Sequence, residues 1–358
     1  MESVLLIAPR LDLRGTTIYT LTLARELRLR GYKVGVLSAG GIFVDELRKE
    51  KVPFVRADIS GFLPRDLLYL HRIGAQIKEY NPQLIHVVHD SLAAIGSRIA
   101  ASVEIPYLLT IHTPVKSRIF VERRFLKKVI ATSQPVRQSA VNAGGLPREK
   151  VVVIEHGVAG SVQPLRRKDE TLLPVVGTVS NLDRDHGVKY FIRAAQELIA
   201  RGVDATYLII GSGPYEKKIR QMVRKLSLEK EITLAPTMPS YRRLASPIDI
   251  FVSPALTEGF NVFILQAMSL GLPVVASAAG GVFSLIVDRQ NGLIVPKRDV
   301  SLFADKIQAY LVDRQYADKI GRKGFEFVQT QFPLHRMLES TLNAYSGQEA
   351  DDLESSAL

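Results

Sequence analysis

The stretch Pro254–Ser277, PALTEGFNVFILQAMSLGLPVVAS, decides the fold class of this chain. The apolar run Ile250–Val252 comes directly before it. Within the stretch, a glycine-containing turn leads to the helix-length segment Val262–Leu270. The apolar run Pro273–Ser277 forms the end of the stretch. Two short apolar runs on either side of such a segment are typical of buried parallel strands joined by a helix. The stretch therefore predicts one β-α-β unit of a parallel sheet.

The same alternation of strands and helices extends along the rest of the chain. In the first half it predicts strands at Val4–Ala8, Lys33–Ser38, Leu84–Val88, Tyr107–Ile111, Val129–Thr132 and Val151–Ile154, and helices at Thr16–Arg30, Arg65–Tyr80, Leu92–Ala101 and Pro135–Ala143. In the second half it predicts further strands at Val175–Thr178, Ala205–Ile210 and Ile232–Leu234, and helices at Gly187–Arg201, Pro214–Leu226, Val300–Arg314, Tyr316–Gln329 and Leu334–Tyr345. This order indicates parallel sheets covered by helices on both faces.

A break in the alternation divides the chain into two α/β domains. The segment Ser161–Pro174 contains two prolines and a run of charged residues, and we interpret it as a linker. A chain of 358 residues is long enough for two domains of ordinary size. We expect them to span residues 1–165 and 174–332, with a disordered acidic tail at 347–358. Doubly wound sheets bind ligands beyond the carboxyl ends of their strands, so an interdomain cleft is the expected site.

The composition excludes several classes of function. The chain has no cysteine, which excludes disulfides, thiolate metal sites and a cysteine nucleophile. Its longest apolar runs are of strand length, so we expect no membrane-spanning helix. Met1-Glu2-Ser3 shows no basic stretch before an apolar segment, and we therefore expect no signal peptide.

The positive charge is concentrated in the first half of the chain. Residues 1–173 contain 26 Lys or Arg against 16 Asp or Glu, whereas residues 174–358 contain 21 against 20. A basic domain favours an anionic partner such as a membrane surface, a phosphorylated lipid, an acidic glycan or a nucleic acid. A solvated basic surface is the alternative interpretation.

Six of these cations lie in one short segment, Lys116–Lys128 (KSRIFVERRFLKK): they are Lys116, Arg118, Arg123, Arg124, Lys127 and Lys128. Apolar residues, among them Phe120 and Phe125, alternate with them. One interpretation is that the segment lies on an anionic membrane or binds an anionic acceptor. The other is an ordinary amphipathic helix packed on the core.

The first turn after a predicted strand, Ala8–Thr16, lacks the pattern G-x-G-x-x-G, which argues against a nicotinamide or flavin enzyme. Gly15 and Thr16 stand at the start of the following helix. The N–H groups there can bind a phosphate, because the positive end of the helix dipole favours an anion. A plain tight turn explains the same residues.

The chain resembles the retaining GT-B glycosyltransferases of family 4 (group 1). Their usual pattern is P-S-x-x-E-G-F-G, then a helix with a second Glu, then A-M-A-x-G-x-P-V-V-A, and Pro254–Ser277 follows it closely. Further matching segments occur in the family's order: Ala24–Leu27, Arg30–Val34, Thr110–His112, Val129–Ser133, Lys150–Val158, Ile209–Pro214, Ala279–Gly281 and Asn291–Pro296. The resemblance extends to about Phe332.

The resemblance implies a GT-B fold with two Rossmann-like domains. Residues 1–165 would face the acceptor, residues 174–332 would bind the donor, and a helix at 333–346 would return to the first domain. Such enzymes move a sugar from a nucleotide-diphosphate donor to an acceptor hydroxyl with retention of configuration. They need no cofactor and usually no metal, because cations and helix N-termini neutralise the leaving diphosphate.

The resemblance also implies roles for individual residues. Glu258 would bind the donor sugar, and His112 would lie near the reacting carbon. The donor and its phosphates would be held by Gly15, Thr16, Asn181, Arg184, His186, Gly211, Gly213, Gly259, Phe260, Asn261 and Gln266. A cytoplasmic enzyme at the inner face of the membrane is expected, with an anionic or lipid-linked acceptor. No nucleic-acid partner is expected.

Several family positions are substituted in this chain. The family's diphosphate-binding segment R-L-x-x-x-K-G is Asn181–Gly187 here, so that Asn181 and His186 replace the Arg and the Lys. Gln266 and Ser284 replace two glutamates, and His156-Gly157 replaces an Asn-Gly pair. Hydrogen bonds to charged groups contribute about 1.5–3 kcal/mol each. A GT-B-fold protein that has lost its activity and serves as a binding partner is therefore the alternative function.

Overall fold

The computed structural model describes residues 2–59, 67–160, 172–235, 245–257 and 259–347. It forms two compact units. The described residues up to Gly157, together with those from His335 onward, belong to the first unit, and those from Val158 to Leu334 belong to the second. The predicted linker, Ser161–Pro174, lies outside the described residues at 161–171, and so does the predicted acidic tail from 348 onward.

The described part of the first unit contains a seven-stranded parallel sheet. Its strands are β1 (Ser3–Ile7), β2 (Lys33–Ser38), β3 (Phe54–Arg56), β4 (Leu84–Val87), β5 (Tyr107–Ile111), β6 (Leu126–Ala131) and β7 (Val151–Val153). The helices of the same part are α1 (Gly15–Leu29), α2 (Val44–Lys49), α3 (Leu67–Tyr80), α4 (Ala93–Ser102) and α5 (Gln134–Asn142). Short 3-10 turns occupy Asp90–Leu92 and Arg148–Lys150.

The strand order of the first unit is β3-β2-β1-β4-β5-β6-β7. Val4 of β1 pairs with Val34 of β2 on one side and with Leu84 of β4 on the other. The order reverses between β1 and β4, so the connections after these two strands run to opposite faces of the sheet. Ligands of doubly wound sheets bind at such a switch point. β1 is buried at all five positions, because helices cover both faces.

The described part of the second unit contains a six-stranded parallel sheet of order β10-β9-β8-β11-β12-β13. The strands are β8 (Val175–Val179), β9 (Thr206–Ile210), β10 (Ile232–Ala235), β11 (Ile250–Ser253), β12 (Val274–Ser277) and β13 (Leu293–Val295). The helices are α6 (Val188–Ala200), α7 (Glu216–Lys225), α8 (Val262–Ser269), α9 (Val282–Leu285), α10 (Val300–Val312) and α11 (Arg314–Gln331). The switch point of this unit lies between β8 and β11.

The last described helix, α12 (Leu334–Ser346), begins at the boundary of the second unit and continues in the first. It packs there through its buried face. The Tyr345 hydroxyl lies 2.7 Å from Nδ1 of His86, and Lys127 Nζ donates to the Tyr345 carbonyl oxygen over 3.0 Å. Met337 Sδ accepts the Gly157 N–H.

The core of each unit is formed by the apolar residues that its strands and helices bury. In the first unit, Leu5 and Ile7 of β1 pack with Leu109 and Ile111 of β5. In the second, the buried face of α6, with Phe191 and Ile192, covers the strands around β8. Helices with one apolar face gain most of their stability from this burial.

One of the two interpretations of Lys116–Lys128, an amphipathic helix, is wrong. Residues 113–125 are described without a helix, and the strand β6 begins at Leu126, three residues before the predicted start. Ile119, Val121 and Phe125 pack against the core, so the apolar residues anchor a loop and a strand. Leu126 pairs with Tyr107 of β5, and this long-range pairing overrides the helical pattern.

The other predicted strands and helices that fall on described residues occur with ends shifted by at most three residues, and Lys33–Ser38 and Tyr107–Ile111 occur as predicted. The predicted start of the helix Arg65–Tyr80 lies outside the described residues. Four short elements were not predicted from the sequence: α2, β3, α9 and β13. Each has three to six residues, too few for a periodic pattern to be recognised. No described helix is both long enough and apolar enough to cross a membrane.

Candidate active site

The loop Asn181–Gly187, at the carboxyl end of β8, is organised by one carboxylate. Asp183 Oδ1 accepts the backbone N–H groups of Asp185 over 2.9 Å and of His186 over 3.0 Å. Nδ1 of His186 lies 2.7 Å from the same oxygen. Three donors on one carboxylate oxygen fold the loop tightly, and they hold the imidazole of His186 against it.

The charges of Asp183 and His186 depend on each other. Burial alone would raise the pKa of Asp183, but the side-chain and backbone hydrogen bonds from His186 outweigh it and hold that pKa below its usual value. The interaction is mutual, so the carboxylate favours the charged form of the imidazole. The loop can thus carry a cation at the position where the family has a lysine, while Asp183 compensates part of that charge.

Gly187 allows this loop to contact the turn that follows β11. Its φ is +64°, and a Cβ atom there would collide with the carbonyl oxygen of Pro254. Leu256 N–H donates to the Asp185 carbonyl oxygen over 2.7 Å. The two loops beside the switch point of the second unit are therefore bonded to each other, immediately before Glu258. Glu258 itself lies outside the described residues, so its role stays a prediction.

The glycines predicted to approach the donor have packing roles in the structure. A Cβ atom at Gly211 would collide with the Ser180 carbonyl oxygen, and Gly213 adopts φ +156° against the backbone of Leu182. Gly281 N–H donates to the Gly259 carbonyl oxygen over 2.8 Å. The close approaches at Gly211, Gly213 and Gly281 require glycine without any ligand. Donor binding by Gly211, Gly213 and Gly259 remains a prediction.

Phe260 and Asn261 also have roles inside the second unit. Phe260 is buried and meets the ring of Phe332 edge-on, with 5.3 Å between centroids. Asn261 caps α8: its Oδ1 accepts the Ile264 N–H over 3.0 Å, and its Nδ2 donates to Ser253 Oγ over 3.1 Å. Gln266 is half-buried on this otherwise buried helix. Asn181 is half-buried and Arg184 is exposed.

In the first unit, the helix α1 begins beside the switch point. Gly15 and Thr16 are its first two residues, and N–H groups at a helix start have no intrahelical partner. Arg14 precedes them in an extended conformation. Burial is the main cause of the lowered pKa of His89; Asp90 opposes it, and the positive charge of Arg14 lowers that pKa further. A cation and two helix-start amides thus lie close to the end of β4.

His112 stands directly after β5 and is almost fully buried. Its Nε2 lies 2.8 Å from the Val88 carbonyl oxygen, and its Nδ1 lies 3.3 Å from Nε2 of His156. The two rings are nearly parallel, at 12°. The ring of Tyr19 meets both of them edge-on, at centroid distances of 5.2 and 5.1 Å.

These histidines are held in the neutral form. Burial lowers the pKa of His112 well below its usual value, and the neighbouring histidines lower it further. Burial also lowers the pKa of His156 and of His86 to about 3. Both ring nitrogens of His112 are engaged within the unit, so this geometry favours an orienting role over proton transfer. A catalytic role of His112 remains a prediction.

Sequence reasoning did not single out His86 and His89. Their signal is the pattern H-V-V-H over His86–His89, where a parallel strand ends near the predicted position of His112. His156 was noted only as a departure from the family. Its contact with His112 joins residues 44 positions apart, which no local pattern contains.

Three of the six cations of the basic segment are hydrogen-bonded to the backbone, and four are exposed. Arg123, Lys127 and Lys128 donate to the backbone carbonyl oxygens of Gly145, Tyr345 and Glu149. Lys116, Arg118, Arg123 and Arg124 are exposed. Phe120 lies among these cations with 69% of its surface exposed. An exposed aromatic ring surrounded by cations is a feature of surfaces that contact anionic partners.

Within the described residues, no group of three His, Asp or Glu side chains is arranged to hold a metal ion.

Comparison with known proteins identifies the family. Residues 13–159 match the family model described as Glycosyltransferase Family 4, and residues 173–313 match the one described as Glycosyl transferases group 1. The chain therefore belongs to the group 1, family 4 glycosyltransferases, as the sequence motifs predicted.

Named relatives are distant. WcaL of Salmonella typhimurium, a glycosyltransferase provisionally assigned to colanic acid biosynthesis, is 28% identical over 311 residues, which are 83% of this chain and 75% of that protein. WcaL of Escherichia coli is 28% identical over 56% of this chain, and the match spans about half (52%) of that protein. A GDP-mannose-dependent phosphatidylinositol monomannoside mannosyltransferase of Mycobacterium tuberculosis is 28% identical over 44% of each chain.

Solved structures confirm the GT-B fold. HepE of Anabaena in complex with UDP and glucose has a TM-score of 0.83 at 20% identity, covering 97% of this chain and 100% of that one. Sucrose-phosphate synthase of Thermosynechococcus elongatus has a TM-score of 0.75 at 20% identity, covering 96% and 98%. Two Rossmann-like units with parallel sheets are the architecture of this fold.

Proposed function

We propose that this chain transfers a sugar from a nucleotide-diphosphate donor to an acceptor hydroxyl with retention of configuration. The observation that carries the proposal is the loop Asn181–Gly187. It lies at the switch point of the second unit and is hydrogen-bonded to the turn before Glu258. Within the loop, Asp183 binds the ring of His186, which stands at the position of the family's diphosphate-binding lysine. A protonated His186 supplies the missing cation.

The chemistry places charge at predictable atoms. The bond between the anomeric carbon and the diphosphate oxygen breaks, and a bond from that carbon to the acceptor oxygen forms. Negative charge grows on the leaving phosphate, and preorganised donors there stabilise the transition state. His186, Arg184 and the amides of Gly15 and Thr16 take this role in the proposal. The acceptor proton passes to the leaving phosphate, and Glu258 binds the sugar.

His112 and Gln266 complete the proposed site. His112 lies near the reacting sugar and remains uncharged, so it does not oppose the positive charge that develops there. Gln266 binds the donor ribose through neutral hydrogen bonds, which are weaker than those of a carboxylate. We propose that transfer needs no metal, because these groups neutralise the diphosphate.

The proposed acceptor is anionic or lipid-linked, and the enzyme works in the cytoplasm at the inner face of the membrane. Four exposed cations and Phe120 support this partner. The relatives include a glycosyltransferase assigned to colanic acid biosynthesis and a phosphatidylinositol monomannoside mannosyltransferase. Both names describe acceptors of a polysaccharide or lipid kind.

A partner subunit without transferase activity is the second candidate. Asn181 replaces one family cation outright, and Asp183 compensates part of the charge of His186. Two lost cations would weaken donor binding or catalysis on the order of 10²–10⁴-fold if nothing replaced them.

Calorimetric titration with UDP, GDP and ADP, with and without Mg²⁺, tests the proposal. Binding of one nucleotide at micromolar strength is expected and would identify the donor base. Transfer from the corresponding sugar nucleotide is then measured by release of that nucleotide. No binding up to millimolar nucleotide would overturn the transferase proposal in favour of the partner subunit.

The double variant N181R/H186K distinguishes a donor site that binds the diphosphate through other residues from one that has lost diphosphate binding. If the active enzyme binds the diphosphate through His186, with its ring bonded to Asp183, the added arginine and lysine are expected to change nucleotide affinity little or to lower it. A large gain in affinity over the parent would indicate a decayed donor site, and so the second candidate.

A further inference from the structure

We propose that His156 is a positioning residue for His112: the Nε2–H of His156 donates to Nδ1 of His112 and fixes the ring of His112 with its Nε2–H on the Val88 carbonyl oxygen. His156 stands at a position where the family pattern has an asparagine. It rests on the proposed function for the role of His112 in transfer, and on geometry alone for the hydrogen bond.

The direction of each hydrogen bond follows from the atoms involved. A carbonyl oxygen can only accept, so the 2.8 Å contact with Val88 requires a proton on Nε2 of His112. A neutral imidazole then has a bare Nδ1, which must accept. Nε2 of His156 lies 3.3 Å from this atom and therefore carries the proton that is donated. The distance is at the long end for such a bond.

Other side chains around His112 cannot supply this donor. Nδ1 of His89 accepts the Ser91 N–H over 3.0 Å, so His89 too is protonated on Nε2, and its ring lies 6.0 Å from that of His112. His86 bonds Thr110 and Tyr345. Tyr19 presents a ring edge. Among the described residues around this ring, His156 is thus the group placed to hold Nδ1.

Fixing the ring at both nitrogens has two consequences for the reaction. The imidazole cannot rotate about its Cβ–Cγ bond without losing both hydrogen bonds. It also cannot gain a proton on Nδ1 unless His156 turns away or shifts its own proton from Nε2 to Nδ1, which disfavours a charged His112 beside a sugar that becomes positive. Positioning of this kind acts on the rate of transfer and leaves donor affinity unchanged.

Nitrogen NMR of the full chain, with only its histidines labelled with ¹⁵N, tests the hydrogen bond without any substrate. The chain has seven histidines, so single variants assign the signals. We expect His112 and His156 each to show a protonated Nε2 and a bare Nδ1 at neutral pH. His156 found with its proton on Nδ1 and a bare Nε2, or a His112 with a protonated Nδ1, would overturn the proposal.

Three variants separate positioning from packing. H156Q retains a donor, because the glutamine amide nitrogen reaches the place of the histidine Nε2, and we expect the His112 Nδ1 signal to stay hydrogen-bonded. H156L removes the donor, and we expect that signal to move toward the value of a free pyridine-type nitrogen. H89Q is the matched control, because His89 faces the same ring without bonding it, and the signal should not move. An unchanged signal in H156L would overturn the proposal.

Kinetics of transfer provide the second readout. We expect H156L to lower kcat by about tenfold with the donor KM unchanged, which corresponds to the loss of one buried hydrogen bond. H156Q should restore kcat to within about threefold of the parent. An equal loss in both variants would indicate packing alone and contradict positioning. If the chain transfers no sugar, the proposed function fails, and the NMR result still decides the hydrogen bond.

Discussion

Asp183 Oδ1 binds His186 twice, through its backbone N–H at 3.0 Å and through its ring Nδ1 at 2.7 Å. The substitution of a lysine by this histidine therefore changes more than a side chain. A lysine carries its charge on a flexible stem, whereas His186 is held by its neighbour three residues earlier. The position of the His186 ring is therefore set by the fold of the loop Asn181–Gly187.

We predict that D183A lowers the free energy of unfolding by about 2 kcal/mol, because three donors lose their acceptor. Urea unfolding followed by circular dichroism measures this. D185A is the control, since Asp185 is exposed in the same loop, and it should change stability by less than about 0.5 kcal/mol. D183N should lower the free energy of unfolding by an intermediate amount, because its amide oxygen still accepts hydrogen bonds. Equal effects of D183A and D185A would contradict the prediction.

Gly187 and Gly202 offer a matched pair of substitutions. Both have positive φ, +64° and +73°, but only Gly187 lies against a backbone carbonyl oxygen, that of Pro254. We predict that G202A costs about 1 kcal/mol for its backbone conformation alone. G187A should cost at least about 2 kcal/mol more, because the loop must also move. Urea unfolding of the two variants measures the difference. Equal losses would mean that the contact with Pro254 is easily relaxed.

The buried histidines predict that the first unit is sensitive to acid. Burial lowers the pKa of His86 and His156 to about 3, whereas histidine in an unfolded chain titrates near 6.5. Below about pH 6.5 the unfolded chain binds protons that the folded chain does not. The free energy of unfolding therefore falls as the pH drops toward 3, by about 1.4 kcal/mol per pH unit for each group.

Urea unfolding between about pH 7.5 and about pH 5 measures this loss. H156N should reduce it by about 2 kcal/mol at the lower pH, because one titrating group is removed. H335Q is the control, since His335 is exposed, and its pH dependence should match that of the parent. If the free energy of unfolding falls as steeply with pH in H156N as in the parent, other groups cause the acid sensitivity.

Phe120 should strengthen binding to anionic membranes. We predict that F120S weakens sedimentation with phosphatidylglycerol vesicles about tenfold, which corresponds to the loss of one partly buried aromatic ring. V312S is the control, because Val312 is 78% exposed and belongs to the second unit, whereas the basic segment belongs to the first. Binding should also fall steeply as salt is raised. Equal binding to phosphatidylcholine vesicles would argue against an anionic surface as the partner.

Sequence patterns predicted the β-α-β order because each strand and helix has its own local periodicity of apolar residues. The runs Val4–Ala8 and Tyr107–Ile111 are apolar at every position or nearly so, as buried parallel strands require, and both form strands. The segment Lys116–Lys128 shows the limit of such patterns. Its alternation of cations and apolar residues fits a helix, but Leu126 pairs with Tyr107, and only the folded sheet brings them together.

The sequence by itself determined the family, the two α/β units and the residues that differ from the family pattern, because motifs, turns and periodicity are local. The tertiary structure decided what those differences do. Asp183 and His186 are three residues apart, yet the number of donors on one oxygen depends on the fold of their loop. His112 bonds Val88 and His156, which are 24 and 44 residues away. Parallel strands end at one edge of a sheet, and this geometry makes neighbours of residues that the chain separates.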